Sequence, residues 1–240
     1  MIKIISARTN QVIKDACSLK NSKERKARSL FLSEGKKNFE MALEAGLVTA
    51  VFTLSEIKGL NAKITQYIVT PEIIEKLSSY KNPEPLIFIA RSKEETIPEI
   101  HNKLLYLENI ADPGNMGTII RTALALNYDA IFLSDNCVDV YNEKVVAASK
   151  GAIFKMPIIK DNPFEMFKEF KLIVSCLTDD AIEIKQCQKV EKFILALGNE
   201  ARGVSQELLN KADIRVKIPM KDIDSLNVAV AAGILMYHLN

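Results

Sequence analysis

Apolar residues along this chain fall into two repeating patterns, short continuous runs and runs spaced at three and four. Thr9 or Asn10 can cap a helix that carries Val12, Ile13, Ala16 and Leu19 on one face. The basic, serine-containing stretch 20–30 reads as a loop, and a strand follows around Phe31 to Ser33. Lys36 to Ala45 reads as a helix closed by Gly46, and Val48 to Thr53 as a strand. Thr70 and Pro71 open another helix that ends near Ser79, and Leu86 to Ala90 is a strand of the fully buried type. The charged segment Ser92 to Asn102 contains Pro98 and marks a boundary, which predicts domains over residues 1–95 and 103–240.

Beyond the boundary, apolar runs at Leu104 to Leu107, Ala130 to Ser134, Ile153 to Ile159, Leu172 to Leu177, Phe193 to Leu197 and Ile214 to Ile218 alternate with helical patterns. Such alternation predicts an α/β fold with a parallel sheet covered on both faces. Ligands of such sheets bind beyond the carboxyl ends of the strands, so the loops after these runs are where chemistry is sought.

Three loops stand out. Residues 112–123, DPGNMGTIIRTA, form a tight turn with Pro113, Gly114 and Gly117 before a helix from Thr118, and they offer Asn115 and Arg121 as polar groups. Residues 198–203, GNEARG, follow a strand; Gly198 permits close approach to its backbone, and Glu200 is exposed on the loop. PMKDIDSLN, residues 219–227, ends with Ser225 capping an uncharged helix from Val228 to Tyr237, which leaves Asn227 in its first turn and predicts a buried helix.

Composition narrows the classes. With 240 residues, 48% hydrophobic and 26% charged, the chain is an ordinary globular sequence, not a collagen-like, disordered or disulfide-scaffold one. No apolar run reaches membrane-spanning length and no secretory leader precedes the first helix, which predicts a cytoplasmic protein. Cys17, Cys137, Cys176 and Cys187 form no CxxC pair, and His101 and His238 are the only histidines, so neither zinc spacing nor a histidine-dependent triad is present. The thiols read as free and buried. GxGxxG, GxxxxGK[ST] and HExxH are likewise missing, which removes support for dinucleotide enzymes, P-loop NTPases and zinc proteases.

Net charge is only +2, but residues 1–40 hold ten basic and four acidic side chains. Lys23, Arg25, Lys26 and Arg28 cluster there and are candidate phosphate contacts of a nucleic-acid-binding surface.

DPGNMGTIIRTA, LGNEARG and IPMKDIDSLNVAVAAGILMY, in that order, resemble the three motifs of the SpoU (TrmH) family of SPOUT-class RNA 2'-O-ribose methyltransferases. The intervening segment 137–158, CVDVYNEKVVAASKGAIFKMPI, looks like the one that family carries between its first two motifs. The first hundred residues resemble the small, ribosomal-protein-like α/β substrate-binding domain of rRNA-directed members. The resemblance implies a C-terminal parallel sheet with a deep trefoil knot, S-adenosyl-L-methionine as cofactor, and homodimers with sites near the subunit interface. It places the cofactor against Gly198, Ile218, Met220 and Leu226, and the reaction site at Asn115, Arg121, Glu200, Ser225 and Asn227. It implies no metal and no membrane partner. Lys221, Asp222 and Ile223 form a shorter bridge than is usual, Asp224 and Ala201 replace a common glutamate and glycine, and KNPEP at 81–85 lacks a glycine found in relatives.

The expected reaction is methyl transfer from S-adenosylmethionine to a ribose 2'-hydroxyl, with ribosomal RNA preferred. A tRNA 2'-O-methyltransferase and a non-catalytic RNA-binding protein of the same fold are the alternatives. A guanidinium does not release its proton in a protein, so Arg121 is expected to stabilise developing alkoxide charge electrostatically.

Overall fold

The computed structural model describes residues 1–240 except Glu94, Glu200 and Ala201. The chain forms two compact units, one of Met1–Glu94 with Asp139–Lys155, the other of Glu95–Val138 with Met156–Asn240.

The first unit contains β1 (Ile2–Ile5), α1 (Gln11–Ser18), α2 (Ser22–Arg28), β2 (Leu30–Glu34), α3 (Lys36–Glu44), β3 (Val48–Thr53), β4 (Thr65–Val69), α4 (Pro71–Leu77), β5 (Leu86–Arg91) and α6 (Glu143–Ser149). Its sheet runs β1-β4-β3-β5-β2; β1, β4 and β3 are parallel, and β5 is antiparallel to both its neighbours. One hydrophobic cluster joins Ile13 and Ala16 of α1 and its C-cap Leu19 to Ile73, Ile74 and Leu77 of α4 and to Phe52 and Ile87 of the sheet. That is the helical face read from spacing.

The stretch 20–30 is not a loop. Asn21 accepts a hydrogen bond from the Lys23 amide at 2.8 Å and opens α2, a run of good helix formers whose charge concealed any periodicity. Arg25 on this helix is buried at 7% exposure and forms a salt bridge with Asp139 at 2.6 Å, while its Nη1 donates to the carbonyls of Leu19 and Lys20. With its donors committed inside the unit, it is not a phosphate contact. Lys23, Lys26 and Arg28 are exposed. Strands β1 and β4 lie outside the sequence reading, because β1 is a mostly exposed edge strand and β4 buries only part of its five residues.

Residues 139–155, placed by the sequence in the second domain, group by their contacts with the first unit. Phe154 stacks on Phe31 with ring centroids 5.9 Å apart, Tyr141 sits 4.6 Å from the same ring, and Asp139 holds Arg25. These contacts bring the segment into the first unit. Gly151, at φ +92°, could carry a Cβ only at 2.2 Å from the Met41 sulfur. Ile153 therefore does not begin a strand: Ala152–Phe154 form a 3-10 turn, and only β8 (Ile158–Ile159) is extended.

The second unit contains β6 (Lys103–Leu107), α5 (Pro113–Ala125), β7 (Ala130–Leu133), β8, β9 (Lys171–Ser175), β10 (Ile182–Glu183), β11 (Phe193–Leu197), α7 (Gln206–Lys211), β12 (Ile214–Lys217) and α8 (Val228–His238). Its sheet order is β10-β12-β9-β11-β6-β7-β8, and every pairing is parallel. All residues of β7 and β11 are buried, as strands covered on both faces require. The chain steps outward through β6, β7 and β8, crosses to β9, and returns as β11 between β9 and β6. The carboxyl ends of β12, β9, β11 and β6 thus lie side by side where the winding reverses, the place such sheets use for ligands.

Candidate active site

A pocket of about 540 Å³ opens at the ends of β9, β11 and β12, within the second unit. It is lined by Ser175 to Thr178 after β9, by Gly198, Asn199 and Arg202 to Val204 after β11, and by Ile218, Met220, Ser225 and Leu226 after β12. Gly198, Ile218, Met220, Ser225 and Leu226 were all singled out in the sequence. The size lies within the range of ordinary small-molecule sites. Leu177, Leu197, Ile218, Leu226 and Val228 give it apolar walls suited to a purine ring, and the loops add polar groups, so the lining fits S-adenosylmethionine.

Glycine at position 198 is required by the chain itself. A Cβ there would lie 2.2 Å from the carbonyl carbon and oxygen of Gly203 and 2.4 Å from the Val204 nitrogen. Asn199 and Gly203 close this loop with two backbone hydrogen bonds, of 3.1 and 2.8 Å. The end of β6 then fixes the loop: Asn199 Nδ2 donates to the Asn109 carbonyl at 3.1 Å, and the Ser205 amide donates to Glu108 Oε2 at 2.6 Å. Glu200 and Ala201, the former a sequence candidate, lie outside the described residues.

Helix α5 begins at Pro113, not at Thr118. Asp112 is its N-cap and accepts from the Asn115 amide at 2.8 Å, which puts Asn115 in the first turn and Gly117 in the buried interior. Asn227 is likewise the N-cap of α8 rather than a first-turn residue: its Oδ1 accepts from the amides of Ala229 and Val230. Its Nδ2 is thereby free to donate to Asn115 Oδ1 at 2.9 Å. The two asparagines, 112 positions apart, thus meet between the starts of the two packed helices.

Arg121 does not line this pocket. It is exposed on the outer face of α5, in an open groove with Thr118, Thr122, Ala125, Leu126 and, from α8, Gly233, Ile234 and Tyr237. Nor is α8 wholly buried: Val230, Ile234 and Tyr237 are 52%, 41% and 76% exposed and recur at four and three residues on one face. The absence of charge identifies an apolar helix, but not what covers it.

Sequence reasoning missed Ser175 to Thr178, Arg202, Lys217 and Asp224 as lining residues. Applying the strand-end rule to the fourth strand end, after β9, would have found the first of these. All four cysteines are free and only partly buried. Cys137 donates to the Leu107 carbonyl at 3.3 Å, and burial pushes its thiol up, so it remains protonated. Among the described residues, no three His, Cys, Asp or Glu side chains are placed to hold a metal ion, and no helix is long and apolar enough to cross a membrane.

Residues 102–237 match the SpoU rRNA Methylase family, and residues 10–87 match the MRM3-like substrate binding domain. The chain is 32% identical to the Bacillus subtilis 23S rRNA (guanosine(2553)-2'-O)-methyltransferase RlmP over 99% of both chains. Among solved structures, it is similar to the AdoMet-bound rRNA methyltransferase of Sinorhizobium meliloti, with TM-score 0.90 and 26% identity over 99% of this chain and 97% of that one. A structure described as an RNA 2'-O ribose methyltransferase superposes with TM-score 0.82 at 28% identity, covering 99% of this chain and 98% of that one.

Proposed function

The chain belongs to the SpoU rRNA Methylase family, and on that premise we propose that it transfers the methyl group of S-adenosylmethionine to a ribose 2'-hydroxyl of ribosomal RNA. The observation that carries this reading is the pocket at the reversal of the sheet, built from the loops that hold the second and third motifs; its lining residue Leu226 is followed in sequence by Asn227, which bonds Asn115 of the first motif. Ribosomal RNA is preferred because a relative that matches over 99% of both chains is an rRNA enzyme by name, and because residues 10–87 match a substrate-binding domain. The first unit then holds RNA, with Lys23, Lys26 and Arg28 as exposed basic groups. The second carries the reaction and the knotted chain, a topology supported by the return of β11 between β9 and β6. The working compartment is the cytoplasm.

When bound, the cofactor supplies a methyl group already activated by its sulfonium. The protein's task is to hold a weakly nucleophilic hydroxyl in line and to stabilise the negative charge that develops on its oxygen. Asn115 and Asn227 hold each other at the helix starts and present fixed amides for orienting the ribose. Gly198, Ile218, Met220 and Leu226 line the pocket that takes the cofactor, and Ser225, which lines it too, is assigned to the reaction site. Arg121 supplies the positive charge, and the proton leaves to water, phosphate or Glu200.

Because Arg121 lies away from the pocket of its own chain, it serves the pocket of a second copy, docked through the apolar face of α8. The separation of Arg121 from the pocket and the apolar stripe of α8 support a homodimer as the working form. Arg121→Ala is expected to lower methyl transfer to rRNA about a hundredfold or more. Affinity for S-adenosylhomocysteine, measured by calorimetry, should be unchanged; wild-type turnover in this variant would refute the assignment.

A further inference from the structure

The first unit has a cavity of its own, about 410 Å³, that the reaction above does not use. Its floor is apolar, made by Leu32, Leu77, Ile87, Val146 and Ala147. Its walls carry acceptors: Glu34 at the end of β2 and Glu143 at the start of α6. Lys37 and Lys150 also line it, and Tyr80, 46% exposed, lies among the lining residues.

Part of this lining is tied up by the chain. Glu34 accepts from the Ser78 hydroxyl and from the Glu84 amide, each at 2.6 Å, and one oxygen of Glu143 accepts from Ser79. The rest has no partner among the described residues: the second Glu143 oxygen, the Tyr80 hydroxyl, and the ammonium groups of Lys37 and Lys150. Burial, followed by the charges of Glu34 and Glu143, raises the Tyr80 phenol, which stays a neutral donor and a ring free to stack.

These features select one kind of ligand. A free anion is disfavoured by the carboxylates, and among the described residues no three acidic, His or Cys groups converge on a metal position. A flat heteroaromatic body suits the apolar floor, N–H donors on its edge suit the carboxylates, and a flanking phosphodiester suits the two lysines. Unstacked bases of single-stranded RNA, held by aromatic stacking and read on their edges, have this chemistry. Guanine presents two adjacent N–H groups, N1 and N2, which Glu143 accepts with its unpartnered oxygen and with the second lone pair of the oxygen that Ser79 holds.

We infer that this cavity is a nucleobase-reading site that takes an unstacked guanine of the RNA substrate, with Tyr80 stacking on the base and Glu143 accepting from its edge. It rests on the reading of the chain as an RNA enzyme only for the choice of polymer, and it supplies sequence selectivity away from the methylated ribose.

The test uses the full-length protein saturated with S-adenosylhomocysteine and fluorescein-labelled pentanucleotides, UUGUU and UUUUU, followed by anisotropy. Wild type should bind the guanine-containing strand about tenfold more tightly, the order expected of one well-made base contact. Ala147→Trp, which fills the floor, and Tyr80→Ala, at an exposed position, should each bring UUGUU to the affinity of UUUUU while cofactor affinity holds. Tyr80→Phe should keep the preference. Equal wild-type affinity for the two strands would overturn the proposal, as would a guanine preference that survives both Ala147→Trp and Tyr80→Ala. Methylation is scored separately: guanine preference without methyl transfer would sink the enzymatic reading alone, and methyl transfer without the preference would sink the guanine site alone.

Discussion

Arginine 25 shows how far residue type alone can mislead about role. In sequence it sits in a basic cluster and reads as a phosphate contact, yet it is buried and paired with Asp139, a residue 114 positions away that no local pattern links to it. Removing it leaves the Asp139 carboxylate largely buried and without its cation, so Arg25→Ala should destabilise the protein by about 3 kcal/mol in urea unfolding. Reversing the exposed Lys23 and Lys26 to glutamate should leave stability nearly unchanged and weaken RNA binding, with a shallower salt dependence. Unchanged RNA affinity in that double variant would move the RNA surface elsewhere. Gly198 was legible as a special position, whereas the reason, a backbone at 2.2 Å, was not, because the obstructing atoms belong to a loop whose path only the fold defines. Tyr106 gives a pH signature. Burial, followed by the charge of Glu108, pushes its phenol up to about 12 from 10.0, and burial raises Tyr128 as well. The folded state therefore retains protons that the unfolded chain releases above pH 10, so stability is full below pH 10 and falls progressively as pH rises toward 12. Tyr106→Phe should flatten that decline in urea titrations across the interval; an identical slope would contradict it.

At the scale of elements, runs with a strong period or full burial were readable, as in α1, β3, β5, β6 and β11, since their spacing follows directly from the faces they bury. Elements with weak local signals were not. Charge masked α2, exposure masked β1, and the apolar run after Gly151 resembled a strand although Phe154 serves as a core residue of the first unit. Helix α8 lies between these cases: its extent was legible, but its exposed stripe was not, because an uncharged sequence looks the same whether the chain or a partner covers it. The stripe Val230, Ile234 and Tyr237 has the apolar chemistry of a subunit interface. Ile234→Asp should therefore convert a dimer to a monomer in sedimentation, with methyl transfer lost and the fold retained by circular dichroism. A protein that is monomeric before substitution would remove the dimer from this account.

For the molecule as a whole, the fold class and loops that line the pocket could be read from three ordered motifs, whereas the grouping of the candidate residues could not. Asn115 and Asn227 meet at 2.9 Å, yet Arg121 points into a different groove from the one that holds Gly198 and Leu226. A motif fixes which residues are present but not which protomer they serve. If Arg121 acts across the interface, mixing Arg121→Ala with a pocket-blocking Leu226→Arg variant should restore part of the activity that each lacks alone. No recovery in verified mixed dimers would place Arg121 in its own chain's site. The central claim is the transfer itself. Purified protein incubated with labelled S-adenosylmethionine and ribosomal RNA, followed by nuclease digestion and mass spectrometry, should yield a nucleoside carrying the label on its ribose 2'-oxygen. Label on a base, or none on ribosomal RNA in naked or subunit-assembled form, would contradict it.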